Sequence, residues 1–205
     1  MKRIILVLLM VCMVGCGYEI TIDFGNGLTP NRRPTINYPK YEAERPTVNL
    51  ETALRQRNWA NTPMNGSCVY ATLASLFRWQ GRDDLATRMR EDYDGGTGWY
   101  SLAAQLDSEG IRYAFTNQKN DVAFLEWACA TRRGAGVTTT GGSHMIALVH
   151  LDSEWAGFID NNSPEEILWK TRSEFLQDWF TATSWAITPL EGPPPPPLPS
   201  KDKNQ

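Results

Sequence analysis

Cysteine and histidine are scarce in this chain. Of its 4 cysteines, Cys12 and Cys16 lie in an apolar N-terminal segment, so only Cys68 and Cys129 belong to the rest. A disulfide scaffold is therefore excluded as the architecture, and a single Cys68–Cys129 bridge would leave no free thiol at Cys68. The 2 histidines are His144 and His150. A surplus of positive charge is missing as well: 20 Lys and Arg against 23 Asp and Glu leave a formal net charge of −3. Clustered cations are what nucleic-acid phosphates require, so that class of partner is set aside. No internal repeat is visible. The longest apolar run, Ile4 to Val14, falls short of the roughly 20 residues needed to cross a bilayer.

What is present is the balance of one ordinary core, with 41% hydrophobic and 21% charged residues over 205 positions. One domain is the expectation at that length. Lys2 and Arg3 ahead of the short apolar run have the form of a secretory signal. The run ends in Met13-Val14-Gly15-Cys16, which resembles a bacterial lipobox apart from Met13, where the pattern prefers Leu. It implies export and lipidation of Cys16, with the protein held at a membrane of the bacterial cell envelope. Each buried lipid methylene contributes about 0.8 kcal/mol to such anchoring. A plain signal peptide, giving a secreted product, is the alternative.

Composition divides the remainder. Residues 1–16 are expected to be the export segment and 17–46, with Thr29-Pro30 and Arg33-Pro34 but no sustained periodicity, a flexible tether. A folded domain is expected over 47–190. Residues 191–205 carry Pro193 through Pro197 and Pro199 and read as a disordered, solvated polyproline tail.

Within the domain, Val69, Leu73, Leu76 and Phe77 recur at helical spacing, predicting a helix over Ser67–Gln80 with Cys68 in its first turn. Helices are also expected over Asp83–Glu91, Tyr100–Glu109 and Asp121–Thr131, the last capped by Asp121. Strands are expected at Ile111–Phe115, Val137–Thr140, His144–Leu151, Trp155–Asp160 and Ser184–Thr188, with one more helix near Ser173–Phe180. Helices precede an antiparallel sheet, so the fold class is α+β. Trp59, Trp79 and Trp127 are expected in the core.

A thiol is nucleophilic as thiolate, and a helix start favours negative charge through its dipole and open N–H groups. Cys68 follows Asn65-Gly66-Ser67 at such a start, although a small buried Cys would look the same. An imidazole is the second requirement. His144 opens an almost wholly apolar strand; His150 lies about 20 Å farther along it, at the hairpin tip, and reads as a surface histidine. If the hairpin turns about Asp152-Ser153, residue 144 pairs with residue 160, placing Asp160 beside His144 as the group that orients its ring. Asn161 and Asn162 are the alternatives if the register slips by one.

Asn65-Gly66-Ser67-Cys68 on a helix, His144 before an apolar strand, Phe158-Ile159-Asp160 on the next strand, and the Glu174-Phe175-Leu176 helix leading to Trp179 together resemble the papain-like cysteine peptidases. Within them the resemblance is to the bacteriocin-processing (double-glycine-leader) type and its exported relatives, over roughly Asn58 to Pro189. It implies a papain-like fold, with the Cys helix packed on an antiparallel sheet that carries the His and the Asp. It also implies hydrolysis of peptide or isopeptide bonds by a Cys68–His144–Asp160 triad through a thioester, acting on a peptide or protein substrate without metal or organic cofactor.

Two positions depart from the family. Thr62 stands where members carry a Gln as oxyanion donor, leaving Asn65 first and Asn61 second as substitutes, with Gln56 too far upstream unless a loop folds back. Asn161 follows Asp160 where processing peptidases have Pro. The rival readings are a murein endopeptidase, whose usual Asp-Cys-Ser-Gly is Ser-Cys-Val-Tyr here, and a catalytically dead papain-like module that grips a partner through its Trp-rich surface.

Overall fold

A computed structural model describes residues 45–59 and 66–192. Cys16, Asn61, Thr62 and Asn65, with nearly all of the expected tether and tail, lie outside the described residues.

The first helix, α1 (Cys68–Trp79), forms where its periodicity predicts, and it is buried along almost its whole length. Its Leu73, Ala74, Leu76 and Phe77 are fully enclosed. Next come α2 (Asp83–Asp92), α3 (Trp99–Ser108) and β1 (Tyr113–Thr116). The helix α4 (Val122–Ala130) starts where Asp121 accepts a hydrogen bond from the Phe124 N–H, the expected cap. The strands β2 (Ala135–Thr139), β3 (His144–Leu151), β4 (Trp155–Ile159) and β5 (Leu168–Thr171) follow, then α5 (Arg172–Thr181) and β6 (Ala186–Pro189). A capping box between Thr171 and Glu174 starts α5.

All 6 strands join one sheet in the order β1-β6-β2-β3-β4-β5, every pair antiparallel. The class is α+β, with helices on both sheet faces. Alternation along β3 divides the core. Met145 packs with Leu73, Phe77 and Leu102 of α1 and α3, and Ala147 and Val149 pack with Leu76 and Trp79 of α1. Ile146 and Leu148 face the other way, onto Leu125 of α4 and Phe175 and Trp179 of α5.

Four expectations need correction. Ile111 does not enter β1: its N–H bonds the Leu106 carbonyl and its side chain is buried, so it closes α3. Strand β5 was not foreseen, because 4 residues at a sheet edge, including exposed Lys170 and Thr171, carry little apolar pattern. Trp127 is 41% exposed on the outer side of α4, whereas Trp79 is buried and Trp59 half-buried. The β3–β4 register also differs. Ala147 pairs with Ile159 and Leu148 with Phe158, then a bulge at Val149 shifts the pairing to His150 with Gly157. Continued inward, that register sets residue 160 across from Ile146 rather than His144.

Candidate active site

Gly66 and Ser67 lead into α1, and Cys68 is its first residue. The Ser67 hydroxyl does not cap the helix. It accepts the Trp59 N–H at 2.9 Å and donates to Asn58 Oδ1 at 2.6 Å. Within the first turn the Cys68 sulfur accepts from the Val69 N–H. From the start of β3 the sulfur also accepts from the Met145 N–H and is hydrogen-bonded to the His144 side chain.

His144 reaches this point because a tight connection precedes it. Residues 140–142 form a single 3₁₀ turn in which Gly141 and Gly142 have φ of 65° and 86°. At Gly142 only glycine fits, since a Cβ would lie 2.7 Å from Thr183 Cγ2. The first residue of β3 is thereby held at the sheet's end, where its ring meets the start of α1.

The other side of that ring meets Asp160, with His144 Nε2 2.9 Å from Asp160 Oδ1. With the register two residues off direct pairing, this contact is diagonal, a geometry within side-chain reach on one sheet face. Asp160 Oδ1 also accepts the Asn162 N–H at 2.9 Å. Because Nε2 is committed to Asp160, Nδ1 is left for Cys68.

The charges follow from these contacts. Burial pushes the Cys68 thiol up, but the His144 hydrogen bond, the Met145 N–H, the imidazolium charge and the Val69 N–H outweigh it and bring the group below its ordinary 9.0. Burial would lower His144; hydrogen bonds and charge from Asp160 and Cys68 raise it instead to about 9. The His144 hydrogen bond holds Asp160 below its ordinary 3.8 against the opposing effect of burial. The three shifts together favour the thiolate–imidazolium form of the pair, backed by a carboxylate. Cys129, by contrast, is pushed far up by burial alone, which makes it a poor nucleophile, and both thiols are free.

The remaining candidates are placed as follows. His150 sits at the far end of β3, its Nε2 2.9 Å from Asp152 Oδ2. Asn161 does not orient His144; its amide turns to α1 and the Met145 carbonyl. Asn162 is near, its Nδ2 3.5 Å from His144 Nε2. Gln56 is buried, its N–H donating to Ser75 Oγ at 2.8 Å, about two turns along α1 from Cys68, and its amide donating to the Arg55 carbonyl.

Asn58 is the residue the sequence reading missed. Its N–H donates to the Asn161 carbonyl at 2.8 Å, its Nδ2 to Asn162 Oδ1 at 3.2 Å, and its Oδ1 accepts from Ser67. It ties the turn before Cys68 to the turn that carries Asp160. Arg57, one position earlier, donates to the Asn162 carbonyl at 2.7 Å and continues the strap. No sequence signal marked Asn58, because its partners come from opposite ends of the domain.

Beside the imidazole opens a cleft of about 320 Å³ walled by His144 and Asp160, floored by Ile146, Phe158 and Phe175, and rimmed by Asp178. Among the described residues no group of three or more His, Cys, Asp or Glu could hold a metal ion. No family model, curated protein or solved structure matches the chain.

Proposed function

We propose that this chain is a thiol peptidase of papain-like architecture, exported and held at the cell envelope by a lipid on Cys16. The observation that carries the reading is Cys68 at a helix start, hydrogen-bonded to His144, whose Nε2 lies 2.9 Å from Asp160 Oδ1. In this mechanism the Cys68 thiolate attacks the carbonyl carbon of a peptide or isopeptide bond. The oxyanion is met by the Cys68 N–H and a side-chain amide. Asn58 joins Asn65 and Asn61 as a candidate for that amide: its Oδ1 accepts from Ser67, the residue before Cys68, and its Nδ2 gives one hydrogen to Asn162 Oδ1 and keeps the second for an oxyanion. His144 then passes its proton to the leaving amine, giving a thioester. Water attacks the thioester as His144 takes its proton, releasing a carboxylic acid and restoring the thiolate–imidazolium pair. Every step uses groups of the protein and water.

A murein endopeptidase would run the same chemistry on cell-wall peptides. The dead-module reading draws on an exposed aromatic group in which Trp99 stacks on Phe115 at 5.9 Å and meets Tyr100 edge-on at 5.6 Å. Alkylation separates an active thiol from a dead one. Iodoacetamide is expected to modify Cys68 in preference to Cys129 near neutral pH, and His144→Ala to abolish the preference; a Cys68 of ordinary reactivity ends the enzymatic reading. Cys16→Ser should move the protein from the membrane to the soluble fraction, and unchanged membrane association ends the lipid-anchor reading.

A further inference from the structure

Asn161 is only 2% exposed, yet its single amide nitrogen meets three acceptors. Nδ2 lies 3.1 Å from the Cys68 carbonyl oxygen, 3.0 Å from Thr72 Oγ1 and 2.7 Å from the Met145 carbonyl oxygen. The Thr72 hydroxyl gives its own hydrogen to the Met145 carbonyl at 3.2 Å, so it faces Asn161 as an acceptor. The side-chain oxygen could not replace the nitrogen among these partners. The amide orientation is thereby determined, and Oδ1 is left buried with no partner. A buried unpaired acceptor is unfavourable. The fold tolerates it here for the sake of what the nitrogen holds together.

Those partners are the residues that define the thiol's surroundings. Cys68 and Met145 come from different elements, α1 and β3, with no covalent tie between them. Met145 N–H and the His144 imidazole are the two groups of β3 that act on the sulfur. Their effect depends on hydrogen-bond distance, which a shift of about 1 Å between helix and strand would abolish. Val149, Ala147 and Leu76 pack by apolar contact alone and do not fix such a distance, so the polar ties at this point are the Thr72 hydroxyl on the Met145 carbonyl and the Asn161 amide that joins both to Cys68.

We infer that Asn161 is a positioning residue: through one amide it fixes the first turn of α1 against Met145 of β3, and so sets the approach of the Cys68 sulfur to His144. The inference rests on the peptidase reading. Among the described residues His144 is the only ionisable side chain acting on Cys68, with Asp160 acting through it, so a change in the thiol's titration reports on this approach.

The test uses the full chain. The iodoacetamide rate at Cys68 is measured against pH, with Cys129 as internal reference, alongside the thermal unfolding midpoint. In Asn161→Ala the alkylation profile is expected to move to higher pH, with the rate at neutral pH falling roughly tenfold, in a protein that still unfolds cooperatively. A folded Asn161→Ala with a lower midpoint and the wild-type profile overturns the proposal, since a merely structural residue would behave so. If Asn161→Ala does not fold, Thr72→Val decides. It removes an acceptor of the Asn161 amide together with the hydroxyl's own bond to the Met145 carbonyl, so the same polar junction of α1 and β3 is loosened; a shift in the same direction supports the proposal and an unmoved profile overturns it. A wild-type Cys68 of ordinary reactivity overturns the peptidase reading and this inference together, whereas a reactive wild type with unmoved variants overturns this inference alone.

Discussion

Asp160 and Asn161 are adjacent in the chain and turned to opposite sides: the Asp160 carboxylate lies 2.9 Å from His144 Nε2, while the Asn161 amide lies 2.7 Å from the Met145 carbonyl oxygen. One meets the ring of His144 and the other the backbone of the next residue, so two successive residues grip the start of β3 from both faces. The alternation of side chains in extended backbone makes this division possible.

Asp160→Asn keeps the shape of that contact and removes its charge. His144 then loses the largest influence raising it, and the thiolate–imidazolium pair weakens. Hydrolysis of a peptide substrate should fall on the order of 10²-fold or more, read as kcat/KM. An unaffected rate would remove Asp160 from the triad.

The pH profile of hydrolysis should be bell-shaped. Its rising limb reports the lowered Cys68 group, and its falling limb lies near pH 9, where His144 loses the proton owed to the leaving amine. Stability follows the same pair. Asp160, depressed, contributes above its ordinary 3.8 and loses that contribution as pH falls through its folded value. His144, raised, contributes fully below its ordinary 6.5 and loses the contribution as pH rises through about 9. The gap in thermal midpoint between wild type and Asp160→Asn should therefore be widest between pH 3.8 and 6.5 and close above pH 9; a constant gap would contradict the pairing.

Asn58→Ala separates oxyanion support from thiol activation. Acylation of Cys68 by p-nitrophenyl acetate passes through an oxyanion and should slow by about 10²–10³-fold. Alkylation by iodoacetamide develops no oxyanion and should hold its wild-type rate. Equal losses in both reactions would make Asn58 a structural strap only.

Gly142→Ala should destabilise the protein by about 1–3 kcal/mol, because φ is 86° and the new methyl would meet Thr183. Since His144 follows two residues later, activity should fall more than the thermal midpoint alone explains. Chemical denaturation with parallel kinetics checks both.

The sequence was most informative where one residue type had one physical role. Apolar spacing located α1, the side chain of Asp121 located the start of α4, and the scarcity of histidine confined the imidazole to one strand. Contacts between distant segments were illegible. Nothing in Asn58 or Asn161 announces its partners, which lie 9 residues from Asn58 at Ser67 and 93 from Asn161 at Cys68. Trp127 was misplaced because α4, VAFLEWACA, is apolar nearly all round and gives no contrast between its faces. The hairpin register could not be counted correctly, since a bulge adds a residue that a pattern of alternation does not register.

That bulge also sets which length changes the hairpin can accept. Leu148 and Leu151 both pack on the α5 side although an odd number of steps separates them, the surplus being Val149. Deleting Val149 would leave every other side chain of β3 on its present face and sacrifice only the packing of one valine. Deleting any residue between His144 and Leu148 would turn His144 away from Asp160 or invert the core behind it. In a lineage of such chains, insertions and deletions would be tolerated on the tip side of position 149 and eliminated on the other.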